Sequence, residues 1–317
     1  MPRRRVVLVV VFALALSSLI LLASIGAALI WTAPAPGVPY VAVLELQGVI
    51  DYEKPLLGGA LTPRDFKELV DIVRGDPAAR AVVLVVNSPG GTAAAFEVYE
   101  IVKELARDRV LVAYITGYGT SGGYLVTLPA KEIIAHPTAL VGSVGAVAVL
   151  VNLRGLYEKL GINVTIVKSG DLKDVGSPYR NLTEDDLSVI QSFINEVAGV
   201  FASKVREHRG EKIRDWNEIL RASVYPGGKA KELGLIDTVG TLEDAIKRAR
   251  ELARLPEDAP ARTIRKEVSL IDILLGRIET PRIVSREPLS VEVLVMWPLP
   301  SEPWTLIVAS QLQNPPK

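Results

Sequence analysis

The sequence predicts an α/β protein with a largely parallel sheet, and three observations carry that prediction. Short apolar runs rich in β-branched residues alternate with longer segments whose apolar residues recur at helical spacing. Glycine-rich turns stand between several of the runs and the helices that follow them. The chain has 317 residues, 49% of them hydrophobic, enough for a sizeable core in one or two globular units.

The elements can be justified in order. Tyr40–Leu46 is the first strand, and Pro63–Arg74 is a helix with Thr62 as its cap and Pro63 at its first position. Strands near 81–86, 110–115, 132–135 and 163–168 then alternate with helices near 92–106, 121–130 and 153–160. Two helices follow, Thr183–Arg209 and Asp215–Ala222, which could pack on neighbouring subunits. No internal duplication is visible, so the chain carries one such unit.

The N-terminus reads as a membrane anchor. Residues 1–5 hold Arg3, Arg4 and Arg5, and Val6–Trp31 is a stretch of 26 residues without a charge. The flank at 32–39 is proline-rich and uncharged, so the positive-inside rule keeps the N-terminus in the cytoplasm and sends the remainder outside. A cleaved signal peptide is the rival, although its apolar region normally runs about 7–15 residues. At the other end, residues 255–317 form an extension of unclear role. Within it Leu270–Leu275 and Val291–Trp297 are apolar but too short to span a bilayer. Pro298, Pro300 and Pro303 stop the second run from continuing as a helix. An edge strand, an oligomer contact or a segment near the membrane are the open readings.

Composition removes several chemistries. There is no cysteine, hence no thiol nucleophile, disulfide or cysteine-held metal. The two histidines, His136 and His208, lie far apart and form no His-Glu-x-x-His, which argues against a zinc protease. Basic and acidic residues balance at 36 each, so no basic stripe suggests nucleic acid. No cofactor or metal is called for.

Two glycine loops invite chemistry. Thr120-Ser-Gly-Gly-Tyr-Leu125 follows the 110–115 strand, and Ser121 at a helix start would hold its hydroxyl over free backbone N–H groups. The Gly-x-Ser-x-Gly spacing of a nucleophile elbow is absent, and an N-cap serine in a glycine turn is the plain alternative. Upstream, Asn87-Ser-Pro-Gly-Gly91 follows the 81–86 strand and leaves unobstructed amides at the next helix. They could stabilise an oxyanion; a turn with a helix cap is the rival, and no phosphate-loop signature occurs.

Taken together, the motifs resemble the signal peptide peptidase A class of serine–lysine proteases. Asn87-Ser-Pro-Gly-Gly91, Ser121-Gly-Gly-Tyr124, Gly142-Ser-Val-Gly145 and Lys173-Asp-Val-Gly-Ser-Pro178 stand in the family's order. Val224-Tyr-Pro-Gly-Gly-Lys-Ala230 and Leu233-Gly-Leu-Ile-Asp237 are similar to its closing segment, so the resemblance covers about residues 40 to 253. It implies a Clp/crotonase-like fold of repeated ββα units over 40–254. By the same resemblance Ser121 is the nucleophile, Lys173 the general base and Ser143 a lysine-orienting residue. Gly90, Gly91 and Gly122 supply oxyanion amides, and serine and lysine meet across a subunit boundary in a homo-oligomer.

A lysine titrates near ~10.4, whereas a base at neutral pH wants about 7, a change that burial brings and that Asp171 and Asp174 would oppose. In an extended segment Lys173 would point away from Asp174. The expectation is a membrane-anchored serine endopeptidase for hydrophobic peptides such as signal-peptide remnants. The rivals are a crotonase-type acyl-transfer enzyme and a non-catalytic membrane-protein scaffold.

Overall fold

The computed structural model describes residues 15–19, 37–53, 60–265 and 292–296. Residues 15–19 are helical (α1), and the rest of the expected anchor at Val6–Trp31 lies outside the described residues, as does Leu270–Leu275. Among the described residues no helix is long and apolar enough to cross a membrane. Residues 1–39 and 40–317 are separate compact units.

In the second unit the chain runs β1 (Tyr40–Gln47), β2 (Val49–Ile50), β3 (Ala60–Leu61), α2 (Pro63–Gly75), β4 (Ala79–Ser88), β5 (Gly90–Gly91) and α3 (Ala94–Asp108). Next come β6 (Val110–Thr120), α4 (Gly122–Leu125), β7 (Glu132–Ala135), β8 (Leu140–Gly142), β9 (Val147–Val149) and α5 (Arg154–Lys159). The long α6 (Glu184–Arg209) leads to α7 (Trp216–Ile219), β10 (Val224–Pro226), α8 (Gly227–Glu232), β11 (Thr238–Val239), α9 (Leu242–Leu252) and β12 (Ala261–Thr263). The last strand is β13 (Glu292–Met296).

The main sheet has eight strands, with the path β10-β8-β6-β4-β1-β12 and with β7 and β11 branching from β6. Every pairing in it is parallel except β10 with β8. Both faces are covered, which is why β4 and β6 read as continuous apolar runs. Val41, Val43, Val83, Val85 and Val112 pack against Ala245 and Ala249 of α9. Leu44, Leu46, Leu84 and Val86 point the other way, into the larger core with Phe66, Val98 and Tyr99. The run β4, β5, α3 is a main-sheet strand, a short strand of a second sheet and a helix, the expected ββα unit; the run before it, β1, β2, β3, α2, has two short second-sheet strands. That second sheet runs β3-β2-β5-β13-β9.

Three expectations need correction. The 110–115 strand continues through Gly117 and Gly119 to Thr120, because β8 offers a second partner to its far end. The 121–130 helix is only Gly122–Leu125, followed by turns. The 163–168 strand does not form: residues 161–173 are almost wholly exposed, and no described strand lies beside them to complete a ladder.

Candidate active site

Ser121 joins two kinds of backbone in a single residue. Its N–H donates to the Gly142 carbonyl of β8 (2.7 Å), while its own carbonyl accepts from Tyr124 (2.9 Å) and Leu125 (3.0 Å) of α4. It is thus the last residue of the sheet ladder and the cap of the helix. That double duty forces φ 53° and ψ −124°, outside the regions a non-glycine residue prefers. Strain of this kind costs about 1–3 kcal/mol and persists only where surrounding structure holds it. Here the residue is 2% exposed and bonded on both sides.

The second serine repeats the pattern one strand over. Ser143 follows Gly142 with φ 55°, is buried, and donates its amide to the Ser223 carbonyl (2.7 Å). Because Thr120 pairs with Gly142, Ser121 and Ser143 leave adjacent strands at the same level. The sheet brings these two together. Ser223 belongs to the closing segment, whose Val224–Pro226 strand pairs antiparallel with β8. The same segment supplies the Leu235 carbonyl that accepts from the buried Tyr124 hydroxyl at 2.7 Å. Burial raises the Tyr124 pKa, which keeps that hydroxyl a donor.

The three glycines differ. The Gly122 amide heads α4, is buried, and donates to no group among the described residues. Gly90, at φ +102°, donates its amide to Ser88 Oγ (3.1 Å). Gly91 pairs with Ile50, and a Cβ on it would lie 1.8 Å from the Ile50 carbonyl oxygen. Ser88 also crowds Gly123, whose Cβ would stand 2.2 Å from the Ser88 carbonyl oxygen. The two glycine loops are in contact, with Ser88 as the residue that joins them. No spacing in the sequence marks Ser88.

Lys173 stands apart. It is exposed, on a run of turns at 171–176 rather than an extended segment, and its side chain makes no hydrogen bond or ion pair among the described residues. The neighbouring Asp174 is engaged elsewhere, by Arg180 (Nε 2.7 Å) and Lys168 (2.7 Å). Those hydrogen bonds, Arg180's first, hold its carboxyl well below the usual carboxylate range. Arg180 reaches on to the buried Asp186 in the first turn of α6 (Nη2 2.9 Å), and so clamps the lysine-bearing segment to that helix. Arg180 carries no sequence signal, since its two partners lie six residues away on either side.

The histidines are occupied. His136 Nδ1 meets Thr138 Oγ1 at 2.8 Å, and His208 Nε2 meets the Tyr99 hydroxyl at 2.9 Å. Neither ring is hydrogen-bonded to Ser121.

A family model described as Peptidase family S49 matches residues 103–256, a stretch holding Ser121, Ser143 and Lys173. A Synechocystis protein named as a protease is 33% identical over 198 residues, covering 62% of this chain and 72% of its own. The chain belongs to peptidase family S49. A Methanocaldococcus jannaschii protein, also named as a protease, is 42% identical over 193 residues, which is 61% of this chain and 62% of that one. An Enterococcus faecium protein named as a signal peptide peptidase SppA is 33% identical over 189 residues, 58% of this chain and 54% of its own. The S49 chain therefore spans between about half and three quarters of these relatives' lengths. Gly90 and Gly91 precede the matched family segment, so their place beside Ser121 rests on the geometry above.

Proposed function

We propose that this S49 chain is a membrane-anchored serine endopeptidase for hydrophobic peptides, with Ser121 as nucleophile and Lys173 of a neighbouring subunit as general base. The observation that carries it is the Ser121 junction: a buried, strained serine at a helix start, beside the unengaged Gly122 amide. A neutral lysine amine takes the Ser121 proton as Oγ attacks the peptide carbonyl. The oxyanion forms against the Gly122 N–H, where an amide fixed by the helix needs no reorganisation. The ammonium then returns its proton to the leaving amine, and water releases the acyl group by the same route. Ser143, one strand away, would orient the amine.

The base is assigned to a neighbour because Lys173 is exposed in a single chain, on a segment that also exposes Leu160, Ile162, Val164, Val167 and Leu172. Apolar surface of this kind marks contact sites. Covering it with another copy would bury the lysine and bring it within reach of a serine. A groove of about 750 Å³ beside β9 has an apolar side of Ala146, Val147, Leu187, Ile190 and Ile194 and a polar side of Glu184, Ser188 and Gln191. The anchor, the extracytoplasmic placement and signal-peptide remnants as substrates rest on the N-terminal sequence and the family resemblance.

Mixed oligomers test the assignment. Ser121→Ala and Lys173→Ala should each abolish peptide hydrolysis, and their co-assembly, verified by differential tags, should recover part of it. Verified mixed oligomers without recovered turnover would put serine and lysine in one chain. Acyl-CoA turnover that survives Ser121→Ala would favour the acyl-transfer rival. Failure of a fluorophosphonate probe to label Ser121 would favour the scaffold.

A further inference from the structure

Strands β4 and β6 begin side by side, Ala81 opposite Val110, at the end of β6 remote from Ser121. One residue before that pair stand Arg80 and Arg109, on neighbouring chain segments about 5 Å apart. Arg80 is the extra residue of a bulge, since Tyr40 pairs with Ala79 and Val41 with Ala81. A bulge re-aims the side chain it carries. Arg109 caps α3 and is the single residue between that helix and β6. Arg254 joins them from the end of α9. It sits at φ 55°, the left-handed position of a helix terminus where glycine is the usual residue. Its N–H donates to the Glu251 carbonyl (3.1 Å), and that of Leu255 to the Arg250 carbonyl (2.9 Å). An arginine there bears a backbone penalty that glycine would avoid.

All three arginines line one cavity of about 490 Å³, with Pro77 and Leu252 among its apolar walls. Small-ligand pockets run from about 300 to 1,000 Å³. None of the three is in ion-pair contact with a carboxylate among the described residues. Asp108, the carboxylate on the lining, is held by Arg74 at 2.8 Å. Helix C-termini attract cations, and α3 and α9 both end here, so carbonyls answer part of the charge. Arg109 Nη1 donates to the Asp108 carbonyl (3.1 Å) and Nη2 to the Arg74 carbonyl (3.3 Å). Its Nε, however, is buried with no partner among the described residues. The Arg80 and Arg254 side chains make no hydrogen bond there either. A buried donor without an acceptor is costly, and like charges on neighbouring strands repel. An anion with several acceptor oxygens removes both penalties, and the guanidinium fork matches phosphate geometry.

We propose that this cavity binds a phosphate-type oxyanion, held by Arg80 and Arg109 from the strand starts and by Arg254 from the end of α9. The site lies far along β6 from Ser121 and does not depend on the peptidase reading. Lipid headgroups and free phosphorylated solutes share this chemistry. For an enzyme anchored as proposed above, both sources are at hand.

The test uses the full chain in neutral detergent micelles and two probes, inorganic phosphate and micelles doped with dihexanoyl phosphatidylglycerol. Calorimetric titration, with ionic strength held constant by chloride, should show saturable binding of at least one probe. Arg80→Gln and Arg254→Gly should each weaken that binding about tenfold or more. Arg154→Gln, on the exposed α5, should leave it unchanged. Arg254→Gly is also the fold control. It relieves the left-handed backbone, so its melting temperature without ligand should equal or exceed that of the wild type. Binding of inorganic phosphate identifies a free solute, and a response to phosphatidylglycerol alone identifies a headgroup; either supports the site. No saturable binding of either probe would overturn the proposal, as would binding that survives either substitution. Binding that Arg154→Gln weakens as much as Arg254→Gly would also overturn it, because charge attraction would then be spread over the surface.

Discussion

Gly123 sets the tolerance of the site at the scale of a single residue. Its missing Cβ leaves room for the Ser88 carbonyl, which a methyl group would meet at 2.2 Å, and both partners are buried backbone that cannot swing aside. Gly123→Ala should therefore cost about 1–3 kcal/mol or more, with peptidase activity falling alongside. Gly155, in α5 with nothing near its Cβ position, is the control: its alanine variant should be neutral or gain about 0.5–1 kcal/mol. Urea unfolding midpoints check both. The serine and the glycines were legible because their types announce backbone chemistry. Ser88, Ser223 and Arg180 were not: Ser88 and Ser223 meet Gly123 and Ser143 only in the folded chain, and Arg180 bridges partners six residues away at no periodic spacing.

Individual elements are held against the site by two ion-pair clusters, one on Asp237 and one on Arg180. Arg209, 3% exposed at the end of α6, meets Asp237 at 2.8 Å, and Asp237 also accepts from Lys212 and from the Ile133 amide. This cluster fixes the closing segment that carries Ser223 and Leu235. Arg209→Met should destabilise the fold by about 1–3 kcal/mol, because it removes the buried donor to Asp237 and to the Gly234 carbonyl while Lys212 keeps the carboxylate paired. Burial works to raise the Asp237 pKa, but the Arg209, Lys212 and Ile133 hydrogen bonds outweigh it and hold the carboxyl below its usual range. The stabilisation is then complete above the unfolded value near ~3.9 and is lost as pH falls through the lower folded value. Urea midpoints should accordingly drop less between pH 7 and 3 in Asp237→Asn than in the wild type. Arg180, the clamp between Asp174 and α6, belongs to the same scale. Arg180→Ala should leave the sheet intact while lowering kcat/KM about tenfold or more, through a misplaced lysine; steady-state kinetics beside a thermal melt separates the two. The strands and helices that build this framework were largely readable from periodicity. The exception at 163–168 is instructive, since its apolar spacing suits a strand and the single chain provides no neighbour for it. The second sheet was invisible for the opposite reason: strands as short as Gly90–Gly91 carry no period at all.

For the whole molecule, the uncharged N-terminal stretch predicts that the catalytic unit lies outside the cytoplasm. Protease added to intact cells should digest it, and a C-terminal reporter active only in the cytoplasm should stay silent. A protected C-terminus would overturn the topology and leave the chemistry standing. The arrangement of the sheet also carries a consequence in time. Ser121 takes its amide partner from β8, β8 is closed by β10, and Tyr124 is tied to Leu235, so the serine is supported by chain made more than a hundred residues after it. A polypeptide still being synthesised or threaded through a membrane pore holds the serine without those supports, and nothing then enforces its strained backbone. On the reading proposed above, Ser121 would gain its full support only after Leu235 has been made.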